Sequence, residues 1–450
     1  MNLELTPSAV LSHLRNLYPN LSSKNTVVVA YSGGLDSHVL LHLLSRISRD
    51  EFDLKAVYIN HGLQEQSNDW AVHCERVCQN LIIPFSSVNL NLTIPQGESL
   101  EEVARKARYN ALCEDLKENE ILMTAHHQND QAETLLLQLF RGAGVQGLAA
   151  MANAHEVKLD SKFYHHLRPL LNQSRQALES YANEYDLKHI EDPTNENTEF
   201  DRNFLRQEIM PKLRQRWLGI DKAISRSASL QAETKILLDE IAQEELADIL
   251  ATESNDFSLA NHSSSLAPII IPKLLNKSKT KQRLLMRYWI LQQGFSMPSA
   301  KKLQHIFLDV IESAQDKQPL VEWKGAELRR FHQQLYIDSP LSVHDVTQVI
   351  PWQANRSLYI SSIDLTLEAA LIDENSEDIT DEKMDNITIR FRQGGETIDI
   401  PKRGNISLKN LFQELHVPPW IRSRLPLIYI GEKLVKIVGL DEFKAHPPTF

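Results

Sequence analysis

The chain has 450 residues, and because one hydrophobic core rarely organises more than about 300 residues, this length predicts roughly two to four domains. Its composition, with 42% hydrophobic and 24% charged residues, is typical of globular proteins and excludes collagen-like, mucin-like and wholly disordered chains. The net charge of −11 counts against indiscriminate binding of nucleic acid, because such binding depends on Lys and Arg.

The expected compartment follows from what the sequence lacks. Apolar runs such as 26–30 fall far short of the about 20 residues that cross a bilayer, and the N-terminus does not resemble a secretory signal. The cysteines, Cys74, Cys78 and Cys113, form no CxxC motif, which argues against a disulfide framework and a structural zinc site. We therefore expect a cytoplasmic protein without a membrane partner.

In chain order, residues 25–195 alternate short β-rich runs with longer amphipathic runs. The pairs are NTVVVAY with HVLLHLLSRI, LKAVYIN with DWAVHCERVCQNL, PFSSVNL with SLEEVARKARYNALCEDL, and EILMTAH with DQAETLLLQLF. Such alternation predicts an α/β fold with a doubly wound parallel sheet. Residues 202–250 and 273–315 are then mainly helical in pattern, and 387–440 combines short strands with a helix near 407–415.

Two polar stretches, 251–268 and the acidic 371–386, punctuate this pattern. We therefore predict four regions along the chain. They are a catalytic domain at 1–215, a mainly helical middle domain at 216–370, an acidic linker at 371–386 and a small α+β domain at 387–450.

The strongest local motif lies between the first strand and the first helix of the sheet. It reads Ser32, Gly33, Gly34, Leu35, Asp36, Ser37. Adjacent glycines let the backbone approach a phosphate, the two hydroxyls can donate to its oxygens, and the following helix N-terminus favours an anion. A carboxylate at position 36 fits such a loop if Mg²⁺ bridges it to pyrophosphate. The alternative is a Ser/Gly turn in which the Asp caps the helix.

A second candidate group follows the run ILMTA. His126 lies at the end of the predicted strand, and Asp130 and Glu133 share one face of the next helix. Ligands of parallel sheets bind at this edge, so these side chains could hold a metal or an ammonium group. The alternative is a capped helix with solvated acids. Likewise, residues 101–109 could be only a helix with a Glu101–Arg105 pair.

Together these segments resemble the tRNA(Ile)-lysidine synthase family of the PP-loop ATP pyrophosphatases. The resemblance covers nearly the whole chain, with the motifs in the family's order. They are 32–37, 60–63, 101–109, 126–134, 141–144, 168–171 and 191–195 followed by Arg202-Asn203, then 390–396, 408–412 and 418–420. Asn129 and Gln64 depart from the family's usual Asp and Arg, which leaves Asp130 as the acting carboxylate.

The resemblance implies an ATP-dependent ligase that attaches free L-lysine to C2 of the wobble cytidine in the CAU anticodon of tRNA(Ile). The base is first adenylated with release of pyrophosphate, and the lysine amine then displaces AMP. ATP and Mg²⁺ are the implied cofactors, and a homodimer is left open.

The resemblance also implies residue roles. Residues 32–37 and His61 bind ATP, and Asp36 helps to place the metal ion. Arg105 or Arg108 neutralises charge near the α-phosphate, and His126 positions the base that is adenylated. Asp130 and Glu133 receive the lysine, and Arg202 meets substrate or phosphate.

Local charge supports an RNA partner. Residues 202–226, 272–287 and 387–424 carry balances of +5, +6 and +4, with Tyr288 and Trp289 as stacking surfaces next to the second. The alternative is solvated basic helix faces with Trp289 in a core.

Two other functions remain open from sequence: another PP-loop tRNA-modifying enzyme such as a 2-thiolase, and a non-catalytic tRNA-binding protein. A thiolase needs reactive cysteines near the loop, whereas these cysteines fall within predicted helices.

Overall fold

The structure is a computed structural model that describes residues 5–60, 62, 67–90, 100–114, 116–159, 162–251, 267–312, 319–353, 356–368, 386–400 and 403–440. His61, Gln64 and residues 371–385 of the predicted linker lie outside these ranges. No helix in the described ranges is both long and apolar enough to span a membrane. Contacts divide the chain into two units, residues 1–237 and 238–450.

The first unit contains a six-stranded sheet with helices between its strands. The strands are β1 (Thr26–Ala30), β2 (Asp53–Asn60), β3 (Phe85–Asn89), β4 (Glu120–Met123), β5 (Ala154–Leu159) and β6 (Lys162–Leu167). Their order is β3-β2-β1-β4-β6-β5, and all neighbours are parallel except β5 and β6. The predicted parallel α/β fold is confirmed, and the sequence analysis missed the β5–β6 hairpin at the sheet edge.

The helices of this unit are α1 (Pro7–Leu17), α2 (Leu35–Ser45), α3 (Ser67–Asn80), α4 (Leu100–Glu114), α5 (Gln128–Phe140), α6 (Val145–Leu148), α7 (Arg175–Glu184), α8 (Asp201–Phe204) and α9 (Met210–Arg216), with α10 (Ile220–Ile249) reaching into the second unit. The amphipathic runs predict α2 to α5, and the stretch 202–250, predicted to be mainly helical, contains α8 to α10. The sequence analysis missed α1, α6 and α7. Central strand β1 is buried because it has a neighbour on each side and helices on both faces, which explains its apolar sequence TVVVA.

The chain reverses its strand order between β1 and β4, since β2 and β3 lie on one side of β1 and β4 and β6 on the other. The carboxyl ends of the strands therefore leave a crevice at this point, as in other open α/β sheets. The phosphate loop follows β1, and His126 follows β4. The topology brings the two candidate groups to one place.

The described residues of the second unit form a helical part, two four-stranded sheets and two two-stranded sheets. The helices are α11 (Ile271–Leu275), α12 (Lys279–Gln292) and α13 (Ala300–His305), and the strands beside them are β7 (Ile269–Ile270), β8 (Leu320–Trp323), β9 (Ala326–Phe331) and β10 (Gln334–Asp338). These strands form one sheet in the order β7-β10-β9-β8. The sequence analysis predicted the helices and missed these short strands.

The rest of this unit is mainly β. Its strands are β11 (Ile350–Pro351), β12 (Leu358–Ile360), β13 (Leu365–Leu367), β14 (Ile387–Arg390), β15 (Thr397–Ile400), β16 (Gly404–Ser407), β17 (Leu427–Ile430) and β18 (Lys433–Ile437), with helices α14 (Leu408–Glu414) and α15 (Pro419–Arg422). Phe391, Phe412 and Leu427 are buried in its core. The helix predicted near 407–415 is confirmed.

The turn between β1 and α2 depends on one glycine for a steric reason. Gly33 has φ +78°, and an added Cβ would lie 2.5 Å from Ile190 Cδ1 and 2.9 Å from Cys74 Sγ. Gly34 has φ −71°, and an added Cβ there would meet Ser32 Oγ at 3.5 Å. Because the two glycines are adjacent and only Gly33 is sterically constrained, Gly34 serves as the control position for a substitution at Gly33.

We predict that Gly33→Ala lowers the free energy of unfolding by about 1–3 kcal/mol, because it adds both backbone strain and a clash. Gly34→Ala should cost less than about 1 kcal/mol. Urea denaturation of both variants measures the difference. Equal losses would mean that the turn adapts freely around position 33.

Candidate active site

The loop after β1 is preorganised by its own hydroxyl groups. Ser32 Oγ and Ser37 Oγ lie 3.1 Å apart, Ser37 Oγ donates to the Gly34 carbonyl oxygen at 3.0 Å, and the Ser32 amide donates to Ser37 Oγ at 3.2 Å. Gly34 is the N-cap of α2 and offers no side chain there. The first turn of α2 thus faces the loop with free space for an anion.

One cavity of about 780 Å³ lies over this loop. Predicted site residues that line it are Ser32, Gly34, Leu35, Asp36, Ser37, Arg108, His126, Asp130 and Glu133. Gly33 instead packs behind the loop, and Arg105 stacks on Tyr109 with Cζ 5.6 Å from the ring centroid. Arg202 joins through its ion pairs with Asp130 and Glu133. His61 lies outside the described residues.

Asp36 is held by a positive partner that the sequence analysis did not predict. Arg175 Nη1 donates to both Asp36 carboxylate oxygens at 2.7 Å, and His127 Nε2 lies 3.7 Å from Oδ2. Burial raises the pKa of Asp36 above its ordinary value, and His127 and Arg175 oppose that rise. A buried carboxylate is destabilising without a positive partner, and Arg175 supplies that partner to Asp36.

Arg175 is fixed by the start of α7. Ser174 caps that helix, and the Arg175 amide donates to Asn129 Oδ1 at 3.0 Å. The Asn129 side-chain amide donates in turn to Asp221 Oδ1 at 3.1 Å. Asn129, where the family often has Asp, thus ties α5 to α7 and α10 through the hydrogen bonds of its uncharged side chain.

Asp130 and Glu133 form a four-charge cluster with two arginines, and the sequence analysis predicted one of these, Arg202. Arg202 donates to Glu133 Oε2 and Asp130 Oδ1, both at 2.9 Å. Arg206 donates to both oxygens of Glu133 at 2.7 Å and to Asp130 Oδ1 at 3.1 Å. The Glu133 side chain is 1% exposed. The predicted shared face of the two acids is correct, and their charge is already matched.

Asp130 also helps to cap the helix that carries it. Its Oδ2 accepts the His127 amide at 3.0 Å, while His127 Nδ1 accepts the Asn129 amide at 3.2 Å, which together cap α5. Burial raises the pKa of Asp130, but His127 and Arg202 lower it more, to about 2. Asp130 therefore caps α5, as the alternative interpretation predicts, and it is also the carboxylate that the sequence analysis predicts to bind a ligand.

Arg206 owes its position to an irregular helical segment. Residues Leu205–Ile209 form a π-helical turn between α8 and α9. Burial lowers the pKa of Arg206, but its bonds to Glu133 outweigh burial and raise it. The guanidinium is therefore charged at any physiological pH. π-helical turns of this kind are frequent at functional sites.

This site offers few protein ligands to a divalent cation. No group of three or more His, Cys, Asp or Glu suited to a metal occurs among the described residues. Mg²⁺ is usually held by one or two carboxylates together with substrate phosphates, so Asp36 beside the phosphate loop is a sufficient protein contribution.

Sequence reasoning over-read one of the basic regions. Trp289 is 1% exposed and packs in the core of the second unit, so its predicted stacking role is wrong and the alternative, a core residue, is confirmed. Lys277, just before α12, and Lys281, in the first turn of α12, both pair with Glu245. Arg283 and Arg287 are exposed and have no carboxylate partner among the described residues.

Three family models match the chain. A PP-loop domain matches residues 7–213, a TilS substrate binding domain matches 271–336, and a TilS substrate C-terminal domain matches 387–446. Among solved structures, a U34-tRNA thiolase, NcsA from Methanococcus maripaludis, is 19% identical with a TM-score of 0.41, covering 50% of this chain and 79% of that one.

Curated relatives are similar over almost the full length. The tRNA(Ile)-lysidine synthase of Coxiella burnetii is 41% identical over 439 residues, which is 96% of this chain and 92% of the relative. That of Pectobacterium atrosepticum is 38% identical over 429 residues, 95% of this chain and 92% of the relative. Identity and coverage at this level mean that the chain belongs to the tRNA(Ile)-lysidine synthase family.

Proposed function

We propose that this protein uses ATP and Mg²⁺ in the cytoplasm to join free L-lysine to C2 of the wobble cytidine in the CAU anticodon of tRNA(Ile). The observation that carries the proposal is one cavity in which a phosphate loop, Asp36 with its Arg175 partner, and an acidic pair meet, in a chain of this family. A tRNA(Ile) transcript with a CAU anticodon, ATP, Mg²⁺ and labelled lysine tests it. Absence of label at the wobble base would overturn it.

In the first half-reaction, the cytidine O2 forms a bond to the α-phosphorus of ATP, and the bond from that phosphorus to the pyrophosphate oxygen breaks. We assign the phosphates to the Ser32–Ser37 loop and the metal ion to Asp36. When bound, Mg²⁺ would neutralise charge on the leaving pyrophosphate. Arg108 lines the same cavity and is the arginine we assign to the α-phosphate.

In the second half-reaction, the lysine amine forms a bond to C2, the C2–O bond breaks, AMP leaves and the amine loses a proton. We assign Asp130 and Glu133 to the incoming ammonium. Arg202 and Arg206 hold those carboxylates in the structure described here, so lysine must share or replace guanidinium contacts. The arginines thereby keep two buried carboxylates paired between turnovers.

We divide the chain by role as the sequence predicts. Residues 1–215 supply the ATP site, and 216–370 and 387–450 contact the body of the tRNA, with 371–386 as the linker. The three family matches support this division, because they fall one in each proposed domain. Arg283 and Arg287, which are exposed and have no carboxylate partner in the part of the chain that the structure describes, are the side chains of the middle region that we assign to phosphates.

The buried cysteines argue against sulfur transfer. Cys74, Cys78 and Cys113 are all buried and free, and burial raises the pKa of Cys74 and Cys78 to about 12. Neither thiol forms the thiolate that attacks sulfur or carbon near neutral pH. The 2-thiolase alternative is not favoured.

Asp36→Asn should lower the rate of tRNA-dependent pyrophosphate release about 100-fold or more, because it removes the carboxylate assigned to the metal ion beside the leaving group. tRNA binding should survive. The matched control is Asp50→Asn, an exposed carboxylate just beyond α2. Normal pyrophosphate release by Asp36→Asn would refute the assignment.

Glu133→Gln keeps the shape of the side chain and removes its charge. We expect pyrophosphate release to continue and adenylated tRNA to accumulate, while the KM for lysine rises about tenfold to a hundredfold. Glu208→Gln, an exposed acid on the same π-helical turn as Arg206, is the control. If both half-reactions fail together in Glu133→Gln, the residue belongs with ATP and the metal ion. If neither changes, the acid only stabilises the fold.

The double variant Arg283→Gln/Arg287→Gln should weaken tRNA binding and reduce the slope of log affinity against log salt by about 1 per arginine. Lys277→Gln/Lys281→Gln, at the start of the same helix, should change the slope little, because Glu245 pairs with both ammonium groups and Asp248 also pairs with Lys277. Filter binding across a salt series measures both. Equal slopes for the two double variants would show that this face of α12 does not touch RNA phosphates.

A further inference from the structure

A chain of hydrogen bonds runs from the interior of the first unit to the cavity. Arg168 Nη2 lies 3.4 Å from His166 Nδ1, His166 Nε2 lies 2.8 Å from Thr124 Oγ1, and Thr124 Oγ1 lies 2.8 Å from His126 Nδ1. His166 and Thr124 are buried, at 0% and 6% exposed, whereas His126 lines the cavity. The sheet itself sets the spacing, because Thr124 directly follows β4 and His166 lies on neighbouring β6.

The order of donors and acceptors in this chain of hydrogen bonds is set from its Arg168 end. A guanidinium has donors and no acceptor, so His166 Nδ1 must be the accepting nitrogen and His166 Nε2 must carry the proton. Thr124 Oγ1 accepts that hydrogen bond, and because its only other side-chain partner among the described residues is His126 Nδ1, its buried O–H is satisfied by donating there. His126 is therefore held with its proton on Nε2.

The first histidine is also kept neutral. Burial, with Arg168 and His155 adding to it, lowers the pKa of His166 far below its ordinary value. Arg168 is anchored independently of this contact, since its Nη1 donates to the Ala152 carbonyl oxygen at 2.7 Å and to His155 Nδ1 at 3.2 Å. The Arg168 guanidinium is therefore held in place as the donor to His166.

The last histidine is neutral for the same reasons. Burial lowers the pKa of His126 well below 6.5, Asp130 opposes the shift, and Arg168, Arg202 and Arg108 add to it. Among the described residues, His126 Nε2 has no hydrogen-bond partner. The ring thus presents one uncharged N–H to the cavity.

We propose that Arg168, His166 and Thr124 are positioning residues that hold His126 as a fixed, neutral Nε2–H donor to an acceptor atom of the pyrimidine ring. This inference rests on the proposed function for the identity of the ligand. A phosphate oxygen would be better met by a cation, and Arg108 in the same cavity lining supplies one. A neutral donor suits the uncharged ring nitrogen N3 of cytosine.

The donor has a clear use in the second half-reaction. As the amine adds to C2, electron density moves from the C2–N3 bond onto N3, and it returns when the C2–O bond to AMP breaks. A preorganised N–H directed at N3 stabilises that density without a change in its own protonation. The proton on Nε2 stays on the histidine throughout.

The first test reads the tautomer directly, in the full-length protein without substrates. In a sample labelled with ¹⁵N-histidine, His126→Gln assigns the signals of that ring by their disappearance. We expect Nδ1 of His126 to be unprotonated and Nε2 to carry the proton at neutral pH. A protonated Nδ1, or an imidazolium at neutral pH, would overturn the proposal.

The second test removes the hydroxyl that links the two histidines. Thr124→Val keeps the branched shape and deletes the link, and Thr124→Ser keeps the hydroxyl and serves as the control. We expect single-turnover lysine transfer to fall about tenfold in Thr124→Val and less than threefold in Thr124→Ser, with the KM for ATP within twofold of wild type in both. The His126 signals should move towards a mixture of tautomers in Thr124→Val alone.

The outcomes separate this inference from the proposed function. If the wild-type protein forms no lysidine, the proposed function is wrong, while the tautomer measurement still decides whether the chain of hydrogen bonds orients His126. If lysidine forms and Thr124→Val matches wild type, the chain of hydrogen bonds has only a structural role. If Thr124→Val raises the KM for ATP as much as it slows transfer, the variant damages the whole site and the positioning role is refuted.

Discussion

The paired charges of Asp130 and Glu133 with Arg202 and Arg206 are the constraint on which the rest of the site depends. Removing two carboxylates and two guanidinium groups from water is costly, and only several short, mutual hydrogen bonds offset that cost. These bonds tie the segment after residue 200 to α5. Because Asp130 also caps α5, the same cluster fixes where that helix begins, and hence where His126 and His127 lie.

The sheet supplies the second level of order. Parallel strands direct their carboxyl ends to one edge, so the loop after β1 and the side chains after β4 meet although about 90 residues separate them. Asp36, which is only partly exposed, pairs with Arg175. Asp36, Asp130 and Glu133 thus each have an arginine partner already in place. Substrates that bring phosphate, ammonium and a neutral base can exchange contacts there one at a time.

Local motifs predicted much of this arrangement. The Ser32–Ser37 loop, the shared face of Asp130 and Glu133 and the parallel α/β fold all follow from short-range patterns of residue type. Arg175 and Arg206 could not be predicted in this way, because they pair with acids 139 and 73 residues distant in sequence. Trp289 was misassigned because an apolar helix face and an aromatic binding surface have the same local composition.

The π-helical turn at Leu205–Ile209 constrains how this gene can change length. Each residue of an α-helix advances the direction of the side chains by about 100°, and a π-helical turn accommodates one residue more than an α-helical turn. Deleting one residue there would relax the backbone to an ordinary helix and also turn α9 away from its present face. Substitutions in the turn change single side chains, whereas deletion of one codon would move Arg206 away from Asp130 and Glu133 and break its ion pairs with both acids.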